Sequence, residues 1–246
     1  MKLHTNALGS GPLHIAMVHG LGGSGDTWRP LIDLLLATDR FTITTLDLRG
    51  HGLSDRATTY ALDDFADDVV ENLPTHLHAV VGHSLGGPVL ARAVGRLEPQ
   101  RAIYLDPGFH LALPTAGIRA KLFWLAPTIS LGAAQLLQLR KSAEATRAYT
   151  PETRQLIKTA QQQFDSSMAI GVFRDAAFHP IAPARPAVPS TIILSDDSDD
   201  SAAILPDAVA SKFQAQGWDV ERMPNIHHDM QLEDPARVFE ALNRLL

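Results

Sequence analysis

Ala79-Val80-Val81-Gly82-His83-Ser84-Leu85-Gly86-Gly87 decides the reading of this chain, because an apolar run ends in a serine placed between two glycines. The run has the make-up of a buried strand, and from Pro88 to about Leu97 the pattern is helical. A strand that reverses sharply into a helix leaves the residue at its turn exposed above the strand ends. The Ser84 hydroxyl is therefore expected there, at a helix N-terminus, in the arrangement called a nucleophile elbow. Gly82 and Gly86 are required for space, since strand and helix backbones approach too closely for a Cβ.

Working outward, β-rich runs alternate with helical patterns, which predicts a mostly parallel, doubly wound α/β sheet covered on both faces. Strands are expected at Leu13–His19, Phe41–Leu46, His78–His83, Arg101–Asp106, Thr191–Ser195 and Trp218–Met223, with a weak extra strand near Lys2–Leu8. Helices are expected from Asp26, read as an N-cap, to about Ala37, then over Leu62–Asn72, Pro88–Leu97, Pro206–Gln216 and Pro235–Leu245. The stretch 108–188 is too long for a loop between two strands and reads as a helical cap inserted before the penultimate strand. It carries apolar residues at near-helical spacing (Ile118, Leu122, Phe123, Leu125, then Leu136, Leu137, Leu139) and a more polar helical pattern over about Pro151–Phe173. Prolines 180, 183, 186 and 189 return the chain in an extended segment. Residues 1–107 and 189–246 then form the core around this insertion.

Composition narrows the function classes. The 246 residues suffice for one large domain with an insertion, and the absence of cysteine removes disulfides, thiolate nucleophiles and cysteine-based zinc sites. A net charge of −6 without a long basic run argues against nucleic acid as a partner. The opening Met-Lys-Leu-His-Thr-Asn has no apolar signal core, so a cytoplasmic location is the expectation. Leu122 to Leu139 is uncharged but interrupted by Pro127 and several polar residues, a poor membrane span.

Together with the elbow, three further stretches carry a resemblance: Ile15-Ala-Met-Val-His19-Gly20-Leu21-Gly22-Gly23, Asp47-Leu-Arg-Gly-His-Gly-Leu-Ser54 and Asn225-Ile-His-His-Asp229. The chain resembles the α/β-hydrolase superfamily from about Leu13 to the C-terminus, except between Pro107 and Pro189. The resemblance implies an oxyanion hole built from the backbone N–H groups of Leu21 and Leu85, and a triad in the chain order Ser, acid, His. Ser84 is the nucleophile. The base lies after the last strand, where both His227 and His228 stand; the family register, with an acidic-Pro pair downstream, selects His228 and leaves His227 at a position that is often glycine. For the acid, the register selects Asp199, with Asp197 and Asp200 as neighbours and Asp106 as a separate possibility, because some relatives place the acid at the end of the preceding strand.

These residues imply a serine hydrolase that cleaves a carboxylic ester or related acyl substrate through an acyl-enzyme, without metal or cofactor. The cap residues Leu122, Phe123, Trp124 and Leu125 suggest an apolar substrate pocket. Other members of this fold catalyse C–C cleavage, perhydrolysis or thioester hydrolysis, or only bind ligands. A different class is suggested by Gly20-Leu-Gly22-Gly-Ser-Gly25, which matches the dinucleotide fingerprint G-x-G-x-x-G, with Asp47 at the end of the next strand. That oxidoreductase reading leaves Ser84 and the late histidines without a role. His51, His83 and the Asp47–Arg49 pair read as structural.

Overall fold

A computed structural model describes residues 1–111, 113–126, 149–196 and 204–246. Its centre is a seven-stranded sheet in the order β1-β3-β2-β4-β5-β6-β7. The strands are β1 (Thr5–Gly9), β2 (Leu13–Val18), β3 (Phe41–Leu46), β4 (Ala79–His83), β5 (Ala102–Leu105), β6 (Ser190–Leu194) and β7 (Asp219–Arg222). Only β1 runs antiparallel, against β3; the other pairs are parallel.

The central strands read as continuous apolar runs because both faces are covered. Alternate residues feed two separate cores. Ala16, Val18, Val80, Tyr104 and Leu194 pack with α2 (Leu62–Asn72), α3 (Gly86–Leu97) and α7 (Asp207–Ala215). Ile15, Met17, Val81, Ile103 and Ile193 pack with α1 (Arg29–Leu36) and α9 (Pro235–Leu245). Between β5 and β6 lies the helical cap, with α4 (Gly117–Leu125), α5 (Pro151–Gln162) and α6 (Ala169–Phe178) among the described residues. One more short helix, α8 (Met230–Glu233), precedes α9.

The strand register places the site. Val18 pairs with Gly82, His83 with Leu105, Leu105 with Ile193 and Leu194 with Arg222, so the segments that follow these strands leave from one edge of the sheet. The chain builds β3 on one side of β2 and returns to build β4 on the other. Such a reversal of strand order marks where doubly wound sheets take ligands at their carboxyl ends, and here it falls between β2 and β4.

Two expectations need correction. The helix expected from Asp26 begins as a 3-10 turn, Gly25–Trp28, capped from Ser24 and followed by α1. Asp26 lies inside that turn as its acidic residue, and the Gly25 N–H that opens the turn is held by the Asp47 carboxylate (2.7 Å). The helical pattern over Pro151–Phe173 is broken after Gln162. Asp165 caps a new 3-10 turn, Ser166–Met168, and α6 then runs to Phe178. The expected second apolar run of the cap, Leu136, Leu137 and Leu139, lies outside the described residues.

Candidate active site

Ser84 sits at the turn between β4 and α3 with φ 52°, in the left-handed region that L-residues seldom occupy. Such strain persists only where the surroundings over-determine it. Here the Ser84 N–H donates to Leu105 O (3.1 Å), and its carbonyl accepts from Gly87 and Gly108 N–H (3.1 and 3.0 Å). A Cβ on Gly86 would lie 2.2 Å from Val18 O, so α3 could not begin this close to β2 with any other residue.

His228 reaches Ser84 from the loop between β7 and α8. Its Nε2 stands 2.9 Å from Ser84 Oγ, and its Nδ1 stands 2.6 Å from Asp106 Oδ2. His227 points elsewhere: its ring and its backbone N–H both engage the Glu233 carboxylate at 2.8 Å. The backbone of His228 is itself held, because the buried His83 donates from Nε2 to the His228 carbonyl (2.9 Å) while its Nδ1 faces Gln231 Nε2 (3.3 Å). Burial lowers the His83 pKa to about 4, with the neighbouring His228 adding to the effect, so His83 is neutral at pH 7 and can fill both roles.

Among the described residues the carboxylate that meets His228 Nδ1 is that of Asp106, the separate possibility at the end of the preceding strand. Asp199, like Asp197 and Asp200, lies outside the described residues. Asp106 follows β5, directly beside β4, and takes a left-handed conformation (φ 40°) as its N–H bonds Ile193 O (2.7 Å). Its other carboxylate oxygen, Oδ1, accepts the Ser195 N–H (3.3 Å). The group is 2 % exposed, and burial works to raise its pKa; the hydrogen bond and charge of His228 and the Ser195 N–H outweigh this and hold it below the usual carboxylate range. The signal in the sequence was an acid ending a wholly apolar run in Tyr104-Leu105-Asp106-Pro107-Gly108, on the strand that neighbours the elbow.

The loop after β2 passes against Ser84: a Cβ on Gly20 would lie 2.9 Å from Ser84 Cβ. Leu21 follows Gly20 in this loop, and Leu85 is the N-cap of α3. Among the described residues, neither the Leu21 nor the Leu85 N–H donates to a protein acceptor. Asp47, the acid that the dinucleotide reading needs, is 5 % exposed and is engaged within its own loops, Oδ1 accepting Gly25 N–H (2.7 Å) and Oδ2 accepting Leu53 N–H (2.8 Å).

Of the cap residues expected to line a pocket, Leu122 and Leu125 are 62 % and 80 % exposed, whereas Phe123 and Trp124 are half-buried. Trp124 packs inside the cap, its ring 5.9 Å from Phe178 and its Nε1 donating to Pro114 O (2.8 Å). Ligand atoms of His83, His228 and Asp229 gather within 4.8 Å, close enough for a metal, but both histidines already use their ring nitrogens as described. Among the described residues no helix is long and apolar enough to cross a membrane.

The family model described as "Alpha/beta hydrolase family" matches residues 15–241. The chain belongs to the alpha/beta hydrolase family. Curated relatives align over a limited part of it. A 2-(acetamidomethylene)succinate hydrolase of Mesorhizobium japonicum is 42 % identical over 90 residues, 35 % of this chain and 31 % of that protein. A pimeloyl-[acyl-carrier protein] methyl ester esterase of Methylococcus capsulatus is 37 % identical over 99 residues, 40 % of this chain and 37 % of that protein. The chain thus spans about a third of the length of these relatives. A solved lipase-esterase related protein from Clostridium acetobutylicum shares the alpha/beta hydrolase fold over 99 % of both chains, with a TM-score of 0.73 at 15 % identity. A Bacillus megaterium epoxide hydrolase shares it with a TM-score of 0.74 at 18 % identity, over 98 % of this chain and 95 % of that one.

Proposed function

We propose that this alpha/beta hydrolase is a serine hydrolase acting on a carboxylic ester or related acyl compound, with Ser84 as nucleophile, His228 as base and Asp106 as the acid that orients it. The continuous relay from Ser84 Oγ through His228 to Asp106 carries the proposal. A serine hydroxyl is a weak nucleophile at neutral pH, and a base within hydrogen-bond reach removes its proton as the bond to carbon forms. His228 Nε2 accepts that proton. Asp106 holds the proton of Nδ1, so the lone pair faces Ser84, and its charge stabilises the imidazolium. The tetrahedral oxyanion lies toward the Leu21 and Leu85 N–H groups, each such donor contributing roughly 3–4 kcal/mol in other serine hydrolases. His228 then returns the proton to the leaving alcohol, and water, activated by the same histidine, hydrolyses the acyl-enzyme.

The esterase and hydrolase names of the two curated relatives agree with this chemistry. An elbow serine does not favour epoxide opening, which in relatives of this fold uses a carboxylate nucleophile. For the substrate we propose an apolar acyl or alcohol group shielded by the cap, with Phe123 and Trp124 the half-buried members of the run able to shield it. A tagged fluorophosphonate should label Ser84, and Ser84→Ala should lower hydrolysis of an activated short-chain ester by at least about 10³-fold, because the triad acts as a unit. Undiminished turnover in the alanine variant would end the hydrolase reading.

A further inference from the structure

The loop that passes Ser84 is gripped by its neighbour through two buried histidines in a reciprocal arrangement. His19 Nδ1–H donates to Gly20 O (2.8 Å) in its own loop, and its Nε2 accepts Leu48 N–H (3.0 Å) from the loop after β3. Conversely, His51 in the loop after β3 donates from Nδ1 to Arg49 O (3.0 Å), and its Nε2 accepts Gly22 N–H (3.1 Å) from the loop after β2. The two rings meet edge to face at 4.9 Å.

The bond to Gly22 matters for its place in the turn. Gly20 to Gly23 form a β-turn closed by Gly23 N–H to Gly20 O (3.0 Å), with Gly22 at φ 73°, the position of a type II turn that demands glycine. The orientation of the Leu21–Gly22 peptide distinguishes type II from type I, and His51 Nε2 grips the N–H of that peptide. The Leu21 N–H, one peptide earlier, takes its direction from the same turn.

The far side of His51 is covered by the cap. The Phe164 ring lies 4.9 Å from the His51 ring. Asp165 N–H donates to Gly50 O (2.9 Å), and the Asp165 carboxylate accepts from Tyr60 Oη (2.8 Å). Met168 Cε sits 2.3 Å from where a Cβ on Gly50 would stand. The segment 164–168, between α5 and α6, is therefore keyed to the loop that carries His51. Burial, with His19 adding, lowers the His51 pKa to about 3, so its lone pair stays available at any working pH.

We propose that His51, braced by the cap residue Phe164, is a positioning residue that sets the Leu21 donor of the oxyanion hole by holding the Gly22 N–H. The inference rests on the serine-hydrolase reading and assigns the cap a role in catalysis besides covering substrate. A shift of Phe164 passes through its ring contact with His51 and the His51–Gly22 hydrogen bond toward the donor.

The test compares His51→Phe, which keeps a ring but removes the acceptor, with His51→Gln, whose amide oxygen can take the place of Nε2, and with Phe164→Ala. Loss of an oxyanion donor costs about 10²–10³ in kcat, so a misdirected donor should cost about 10- to 100-fold. His51→Phe is expected to lose that much in kcat with KM within about threefold of wild type, and to bind an arylboronic acid, whose serine adduct is tetrahedral and anionic, correspondingly more weakly. His51→Gln should recover most of the loss. Phe164→Ala should fall by about 3- to 10-fold in kcat, and the double variant with His51→Phe should be no worse than His51→Phe alone, since both act through one contact. Unchanged kcat in His51→Phe and Phe164→Ala, or equal losses in His51→Gln and His51→Phe, would overturn the proposal. Should His51→Phe fail to fold, judged by its melting curve, Phe164→Ala decides: lower kcat with steady KM supports the proposal, and wild-type kinetics overturn it. Fluorophosphonate labelling of Ser84 in the unmutated protein separates the two levels, because its failure counts against the hydrolase reading and not against the positioning of the turn.

Discussion

Asp106→Asn tests the acid at the atom level, because the surroundings dictate how the amide must sit. Oδ1 of Asp106 faces the Ser195 N–H at 3.3 Å, and a donor there requires an acceptor opposite. The asparagine oxygen takes that place and its NH2 replaces Oδ2, which stands 2.6 Å from His228 Nδ1. Two donors cannot face each other at that distance, so His228 moves its proton to Nε2. The lone pair that would accept the Ser84 proton is then gone, and Nε2–H points at Ser84 Oγ from 2.9 Å. The same change of tautomer in a serine protease lowers kcat by about 10⁴-fold, equivalent to about 5.5 kcal/mol, and a loss of that size is expected here. The assay is kcat for an activated ester from pH 5 to 9, with circular dichroism to confirm that the fold persists. In the unmutated enzyme kcat/KM should rise through the titration of the base as neutral imidazole forms. Activity of Asp106→Asn within about tenfold of wild type, with Asp199→Asn the crippled variant, would refute the assignment.

Acid should weaken the fold well before the carboxylates titrate. His19 and His83 are pushed down to about 4 and His51 to about 3, chiefly by burial. Because these folded pKa values lie below the ordinary histidine value of about 6.5, their stability contribution is complete above that pH and is lost as pH falls toward the folded values, by up to about 1.4 kcal/mol per pH unit for each. Urea midpoints at pH 7 and pH 5 measure the slope, which should become shallower in His51→Phe; a flat profile would contradict neutral burial. Asp68 is 1 % exposed and accepts Arg49 Nε at 2.6 Å, while Arg49 also donates to Thr59 O and Asp64 O at 2.9 Å. Asp68→Ala leaves Arg49 Nε without its acceptor while the Asp64 carboxylate stays 3.4 Å from Nη1; it should cost roughly 1.5–3 kcal/mol by denaturant unfolding, whereas a loss below about 1 kcal/mol would show that water replaces the carboxylate. A series of esters from acetyl to medium-chain should rise in kcat/KM, each buried methylene contributing about 0.8 kcal/mol, and Trp124→Ala should flatten the rise; a series flat in the unmutated enzyme would remove the apolar-pocket proposal.

The sequence alone determined the sheet and the elbow, because both are set by neighbours along the chain. A short apolar run of β-branched residues ended by glycine, such as Ala79-Val80-Val81-Gly82, fits a strand covered on both faces, and glycines at 82 and 86 mark where two backbones come close. The predicted bounds of β3, α2 and α9 agree with the observed ones to the residue, since each begins or ends at a strong local signal: the apolar run of β3, the acidic first turn of α2, and Pro235 in α9. Tertiary structure decided what depends on residues far apart. Asp106 and His228 are 122 positions apart, and the geometry that joins them arises from β5 lying beside β4 and from a left-handed turn at Asp106 that no local pattern announces. The acidic cluster after β6 competed for the role because composition registers a carboxylate but not its direction. His51 is the same case in reverse: beside a glycine turn it reads as scaffold, and only the packing of segment 164–168 and the loop after β2 shows what its nitrogen holds. Short-range physics is written in neighbouring residues, whereas the direction of a side chain is fixed by whatever the finished fold packs around it.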